Sequence, residues 1–224
     1  MIKLLNMFQI SDSAFPIGSF TLSNGLETFT QKDKLSTAKD LEKYVENYVS
    51  FMKYNELGFL NLLCNAEFTV DNLILLDNMY SAIRSPREIR EGSARLCKRF
   101  IKTWQKIEKL QLLDTYSDLI SQGLCEGHHT ICVALFIKEK NIDFEAGANI
   151  YAYSTVSAII TNAVKNVPLS QLDGSLILNK SFEMIEKAVK ESKNTTIGQL
   201  GIGGTGFEIY SYNHETLYSR LYMS

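Results

Sequence analysis

Apolar residues along this chain recur mostly at intervals of three and four, the spacing of one face of a helix. After Leu35, Thr37 stands three residues before Asp40, a weaker form of the capping box. Leu41, Tyr44, Val45, Tyr48, Phe51 and Met52 then mark one face, and the pattern continues through Leu57, Leu60 and Leu63 to Cys64. A second helix is predicted over 71–83. Pro86 restarts the chain, since proline suits the first turn of a helix. From Arg87 to Lys109, charges alternate with Ile89, Leu96, Phe100, Ile101, Trp104 and Ile107. Residues 130–138 and 146–164 are apolar on most sides and predict buried helices. The stretch 181–190 is amphipathic, with Phe182, Ile185 and Val189 on one face. Alternating, strand-like patterns are short and isolated; Phe207-Glu208-Ile209-Tyr210 is the best of them. No internal repeat stands out. The expected fold class is all-α, a single multi-helix domain.

Composition shifts near Lys193. Five glycines fall within nine residues, from Gly198 to Gly206. Such a stretch is costly to order and suits a flexible linker. The remainder, from Phe207 to Ser224, is rich in Tyr and Leu and reads as a tail that folds onto something else. The predicted division is a helical domain over 1–195, then a Gly-rich linker and partner-binding tail over 196–224.

The 224 residues suffice for one large domain with a buried core. Lys plus Arg number 23 and Asp plus Glu 25, so no basic excess marks a nucleic-acid binder. No stretch approaches the roughly 20 apolar residues of a membrane span, and the N-terminus lacks the features of a secretion signal. Cys64, Cys97, Cys125 and Cys132 follow no disulfide-framework spacing. A cytoplasmic protein with free thiols is expected.

Several motifs carry potential chemistry. Gly201, Gly203 and Gly206 match G-x-G-x-x-G, but only 18 residues follow, too few for the βαβ context that dinucleotide binding needs. Cys125, His128, His129 and Cys132 lie within eight residues. On a helix Cys125, His128 or His129, and Cys132 would share a face, and sulfur with imidazole could hold Zn or Ni; the set matches no complete tetrahedral spacing. The plainer reading is a helix start after Gly123 and Gly127, with buried thiols acting as small apolar groups. Arg87, Arg90 and Arg95, with Glu88 and Glu91, form a dense charged cluster. It reads either as a solvated face or as an Arg docking surface. No G-x-S-x-G occurs. Ser11, Asp12 and Ser13, beside Pro16 and Gly18, suit turns and caps rather than a triad.

Four segments, in order, resemble the urease accessory proteins of the F type, UreF. They are Ser11 to Glu27 (SDSAFPIGSFTLSNGLE), Ser85 to Leu96 (SPREIREGSARL), Ala163 to Leu178 (AVKNVPLSQLDGSLIL) and His214 to Ser224 (HETLYSRLYMS). Where that family often has Gly before the Gln of the third segment, Ser170 precedes Gln171 here.

The resemblance implies an all-helical, homodimeric chaperone with no enzymatic activity and no cofactor of its own. Its implied partners are the scaffold accessory protein (UreD, also called UreH), the nickel-carrying GTPase (UreG) and urease apoprotein, with nickel handled by the complex. By resemblance, Glu27, Lys165 and Gln171 are candidates for the GTPase-facing surface. Tyr218, Arg220, Leu221 and Tyr222 are candidate anchors of a scaffold-binding tail. The competing reading is a metal-binding carrier using Cys125, His128, His129 and Cys132, and a third is a small enzyme with a concealed site.

Overall fold

The computed structural model describes residues 1–19 and 25–218. Among these the chain forms twelve α-helices and no strand: α1 (Ile2–Ser11), α2 (Leu26–Gln31), α3 (Ala38–Met52), α4 (Glu56–Asn65), α5 (Val70–Ile83), α6 (Arg87–Ile107), α7 (Gln111–Ser121), α8 (His129–Glu139), α9 (Phe144–Asn166), α10 (Gln171–Lys180), α11 (Phe182–Ser192) and α12 (Thr205–His214). The all-α, single-domain expectation holds.

Two helices organise the rest. In α8 every residue from Thr130 to Ile137 is buried. Apolar on all sides, it has to be enclosed, and α4, α6 and α7 pack around it. The 23-residue α9 carries α1, α2, α3, α4, α10 and α11 along its length. Its Gly147 faces the Ile137 side chain of α8, where an added Cβ would come within 2.8 Å of Cδ1 and 3.0 Å of Cγ1, so a larger residue there would displace Ile137.

The caps follow the sequence signals. Thr37 and Asp40 form a full capping box: Asp40 N donates to Thr37 Oγ1 at 3.2 Å, and Thr37 N to Asp40 Oδ2 at 3.0 Å. The hydroxyl and amide donors around the Asp40 carboxylate hold its pKa below the ordinary value. Ser170 and Asp173 build a second box at the start of α10. Ser170 therefore has a local role of its own, as the N-cap that precedes Gln171.

The structure corrects three expectations. The run predicted to extend from 38 to 64 breaks at 53–55, where Asn55 leaves helical geometry (φ −116°, ψ −113°). Apolar spacing alone cannot register this, because buried apolar residues continue on both sides of the break, through Met52 at the end of α3 and from Leu57 in α4. The strand-like 207–210 lies within α12. Its side chains contact the body at Phe207, Tyr210, Ser211 and His214, a helical i, i+3, i+4, i+7 set.

The Gly-rich segment is the third correction. It is not a free linker: its chain is bonded to the break between α3 and α4. Thr195 Oγ1 donates to Lys53 O at 2.8 Å, Gly201 N donates to Tyr54 O at 2.9 Å, and Asn55 Nδ2 donates to Ile202 O at 3.3 Å. The first two bonds satisfy carbonyls freed at the end of α3, and the third satisfies the Ile202 carbonyl of the docked segment. Gly201 and Gly203 have φ of +82° and +84°, and a Cβ on them would meet Ile83 at 2.9 Å and Phe51 at 3.0 Å. Glycine serves here to fit a tight docked turn, not to keep the chain loose.

Beyond the turn, Phe207 enters an aromatic cleft. Its ring lies 4.8 Å from Tyr44, 5.0 Å from Phe51, 5.6 Å from Phe29 and 5.7 Å from Tyr48. Tyr210 stacks on Phe29 at 3.8 Å. Burying an aromatic ring contributes about 2 kcal/mol. Phe207→Ala is accordingly expected to weaken docking of α12 by about 2 kcal/mol, seen as faster limited proteolysis within 202–214 while the far-ultraviolet circular dichroism of the body is kept. Unchanged proteolysis would mean that Phe207 does not anchor the helix.

Candidate functional site

The polar groups of the interior gather around the start of α8. Asp77, fully buried on α5, accepts from the Tyr116 hydroxyl of α7, from Glu126 N at 2.7 Å and from Gly127 N at 3.2 Å. Tyr116 Oη in turn accepts from His128 N at 2.8 Å. A buried carboxylate is costly unless its lone pairs are filled, and here the loop leading into α8 fills them. Burial nonetheless raises the Asp77 pKa above its ordinary value, against the lowering effect of the Tyr116 and amide bonds. Gly127 (φ +89°) lets this loop approach, since a Cβ there would lie 2.8 Å from Ile120 and 3.2 Å from Cys97 Sγ.

A second network joins α3, α4, α5, α8 and α9. Arg84 and Glu56 form a buried ion pair, and Tyr48 Oη donates to Glu56 Oε1 at 3.0 Å. The Arg84 guanidinium also lies 5.2 Å from the Tyr80 ring centroid. Tyr80 Oη, Thr130 Oγ1 and Tyr151 Oη follow at 2.8 and 2.9 Å. These groups line a cavity of about 90 Å³ together with Ser93 and His129. Among the described residues, Glu56 Oε2 and His129 Nε2 have no hydrogen-bond partner. A cavity of this size suits a few ordered waters, whereas sites for organic ligands run to roughly 300 Å³ or more.

The four Cys and His residues considered as metal ligands do not converge. Cys125 lies in the loop, and the helix begins only at His129, so the shared helical face assumed from spacing does not exist. His128 faces Ser81 Oγ at 2.7 Å and Ser93 Oγ at 3.4 Å. Cys132 Sγ lies 3.2 Å from Cys97 Sγ, on α6. Burial pushes the Cys125 thiol up to about 12 and raises Cys132 well above the ordinary thiol range. Thiols held protonated are poor ligands. Among the described residues no group of three or more His, Cys, Asp or Glu side chains could hold a metal ion.

The remaining candidates scatter. Lys165 is exposed in the last turn of α9, and Gln171 is exposed at the first position of α10. Glu27, expected on the same partner-facing surface, is 2% exposed, and its carboxylate faces His214 Nε2 at 3.1 Å. It holds α2 to α12 and is no surface residue. In the Arg cluster, Arg90 turns inward and donates to Arg84 O at 3.0 Å and Ser85 O at 2.6 Å, closing the end of α5. Arg87 pairs with Glu91 at 3.5 Å and Glu215 at 3.4 Å, and Arg95 with Glu91 at 3.7 Å. Tyr218 is fully exposed; Arg220, Leu221 and Tyr222 lie outside the described residues.

One surface feature was missed from sequence. Ile2, Leu5 and Phe8 are 75%, 56% and 58% exposed along the outer face of α1, while Met7 and Ile10 are buried beneath. The N-terminal run is apolar on both sides, and periodicity cannot say which side meets the core. An exposed apolar stripe of this kind marks protein contact.

The described residues form a single all-α domain, with exposed apolar side chains along α1 among other places on its surface. Comparison with known proteins is specific: a family model described as UreF matches residues 35–181. The chain is 36% identical over 227 aligned positions to the urease accessory protein UreF of Actinobacillus pleuropneumoniae serotype 5b (strain L20), covering 100% of both. It is 32% identical to the urease accessory protein UreF of Streptococcus thermophilus LMD-9, over 98% of this chain and 94% of that protein. For the urease accessory protein UreF of Haemophilus influenzae KW20 the figures are 34%, 97% and 94%. The chain belongs to the UreF family.

The two buried histidines make stability fall in acid. Burial lowers His128 to about 3 and His129 to about 4, from the usual 6.5. The unfolded chain binds protons below about 6.5 and the folded chain does not, so stability is full above that value and declines as pH drops. Between pH 7 and 5 the loss is about 2 kcal/mol for each histidine. Urea denaturation of the intact chain at the two pH values should show it, and His128→Gln should remove about half. Identical pH dependence in the variant would mean that His128 is not held neutral.

Proposed function

We propose that this chain is a non-catalytic assembly factor in urease maturation. It works in a complex with the scaffold accessory protein (UreD/UreH), the nickel-carrying GTPase (UreG) and urease apoprotein, and it regulates that GTPase. The observation that carries the reading is its end-to-end similarity to curated urease accessory proteins. Nickel is cargo of the complex, and the chain needs no cofactor of its own. It works in the cytoplasm as a homodimer; among the described residues no helix is long and apolar enough to cross a membrane.

The exposed apolar stripe of α1 and the exposed Tyr218 support a role built on protein contacts. Tyr218, Arg220, Leu221 and Tyr222 are the proposed scaffold anchors. Lys165 and Gln171, exposed on either side of the turn at Val167–Ser170, are the proposed contacts for the GTPase. Arg87 and Arg95 offer a further charged surface, already partly paired within the chain.

Co-purification with the cognate scaffold protein and GTPase, followed by size exclusion with mass detection, tests the reading. A stable complex is expected with the intact chain. Deletion of residues 219–224 is expected to abolish scaffold binding with circular dichroism unchanged, and Lys165→Ala to weaken recruitment of the GTPase at least tenfold. A chain that stays alone at every nucleotide and nickel concentration would overturn the assignment.

A further inference from the structure

The C-terminal half of α6 presents one sign of charge to solvent. Arg95, Lys98, Arg99, Lys102 and Lys106 are all exposed, while Leu96, Cys97, Phe100, Ile101 and Trp104 are buried on the opposite side. At 3.6 residues per turn, the five cations fall within an arc of about 100° and run for about 16 Å along the helix. No acidic residue interrupts α6 between Glu91 and its end at Ile107. Over its whole length α6 holds seven Lys and Arg against two Glu, a net of +5, on a chain whose formal charge is −2.

The protein does not neutralise this strip itself. Arg95 reaches Glu91 at 3.7 Å, and Arg99 donates to the Ile17 carbonyl at 3.0 Å. Among the described residues Lys98, Lys102 and Lys106 enter no ion pair. Acids beside the end of α6 are engaged elsewhere: Glu108 pairs with Lys140, and Asp114 accepts from Gln105 at 3.0 Å. Like charges four apart on a helix repel one another. Helix α11 shows the alternative, with Lys187 facing Glu191 and Lys190 facing Glu186, each four residues away. Such pairs on α6 would cancel the field. Without them α6 keeps a positive strip whose complement is a negative surface.

We propose that the strip formed by Arg95, Lys98, Arg99, Lys102 and Lys106 docks an acidic surface patch of a partner protein in the maturation complex. The strip serves the assembly role proposed above, on which this inference rests. Three features favour a protein over a nucleic acid or a lipid surface. The rings of Phe100 and Trp104 are buried beneath the strip and are not available to stack on bases. No exposed apolar side chain stands among the five cations to enter a bilayer. The chain as a whole is negative, so it repels an extended polyanion beyond the Debye length of about 10 Å, whereas a bounded acidic patch meets the strip alone.

Binding of the intact chain to the purified scaffold protein, GTPase and urease apoprotein, singly and together, tests the strip at about 50 and about 300 mM NaCl. The unaltered chain should join the complex, and its association rate should fall roughly tenfold at the higher salt. The triple variant Lys98→Glu/Lys102→Glu/Lys106→Glu should bind one component roughly tenfold more weakly or worse, with circular dichroism unchanged, because Glu suits an exposed helix position. Replacing the same three lysines by Gln should give a smaller loss of the same kind. Reversal of Lys34, Lys39 and Lys43, exposed lysines away from α6, alters net charge equally and should leave binding intact. Full affinity in the triple variant, or an equal loss in the control, would overturn the strip and leave the assembly role standing. Failure of the unaltered chain to join any component would overturn the assembly role and the strip with it. Tighter binding to a DNA duplex or to phosphatidylserine vesicles than to any component, lost in the triple variant, would overturn the protein occupant.

Discussion

Enclosure of α8 is the constraint on which the structure turns. Residues 130–137 have no polar face, so the helix is stable only where neighbours remove it from water on every side. Its start raises a polar problem within that apolar setting, because the chain enters through amides that the helix itself leaves unbonded. Asp77 and Tyr116 answer it from α5 and α7, accepting the amides of Glu126, Gly127 and His128. A carboxylate this deep is tolerated because its acceptors are filled. The helices around α8 are thereby fixed in place relative to its first turn.

The second dependence runs between distant parts of the chain. The break at 53–55 frees backbone carbonyls, and the segment from Thr195 to Ile202 bonds to that break. Glycine at 201 and 203 permits both the backbone conformation and the contact distances. Continuity follows from this: the turn delivers Phe207 to the aromatic cleft and His214 to the two carboxylates. Elements separated by more than a hundred residues thus share one set of contacts.

The charged and polar residues divide by what surrounds them. Arg84, Arg90, Asp77, Glu27, Glu88 and His128 are all ionisable types that sequence reasoning places on surfaces or in sites, and all bond within the framework. Lys165, Gln171 and Tyr218 remain exposed and free to meet partners. The metal reading of Cys125 to Cys132 fails on geometry, since spacing along the chain assumes a helix that does not extend through Cys125.

By itself the sequence determined the helical class, the amphipathic faces of α3, α6 and α11, the buried character of α8 and the Thr37–Asp40 capping box, because each depends on neighbours within a few residues. Its four ordered motifs also carried the family resemblance. Only the tertiary structure decided where the long helical run breaks, that the Gly-rich stretch is a docked turn, that 207–210 is helical, and that Glu27 lies inside. Each of these is settled by a partner far along the chain. A carboxylate such as Glu27 becomes an interior residue only when His214 arrives, 187 positions later, to meet it. Local pattern carries no record of such meetings, since the free energy that fixes them comes from packing and hydrogen bonds formed after the chain has folded back on itself.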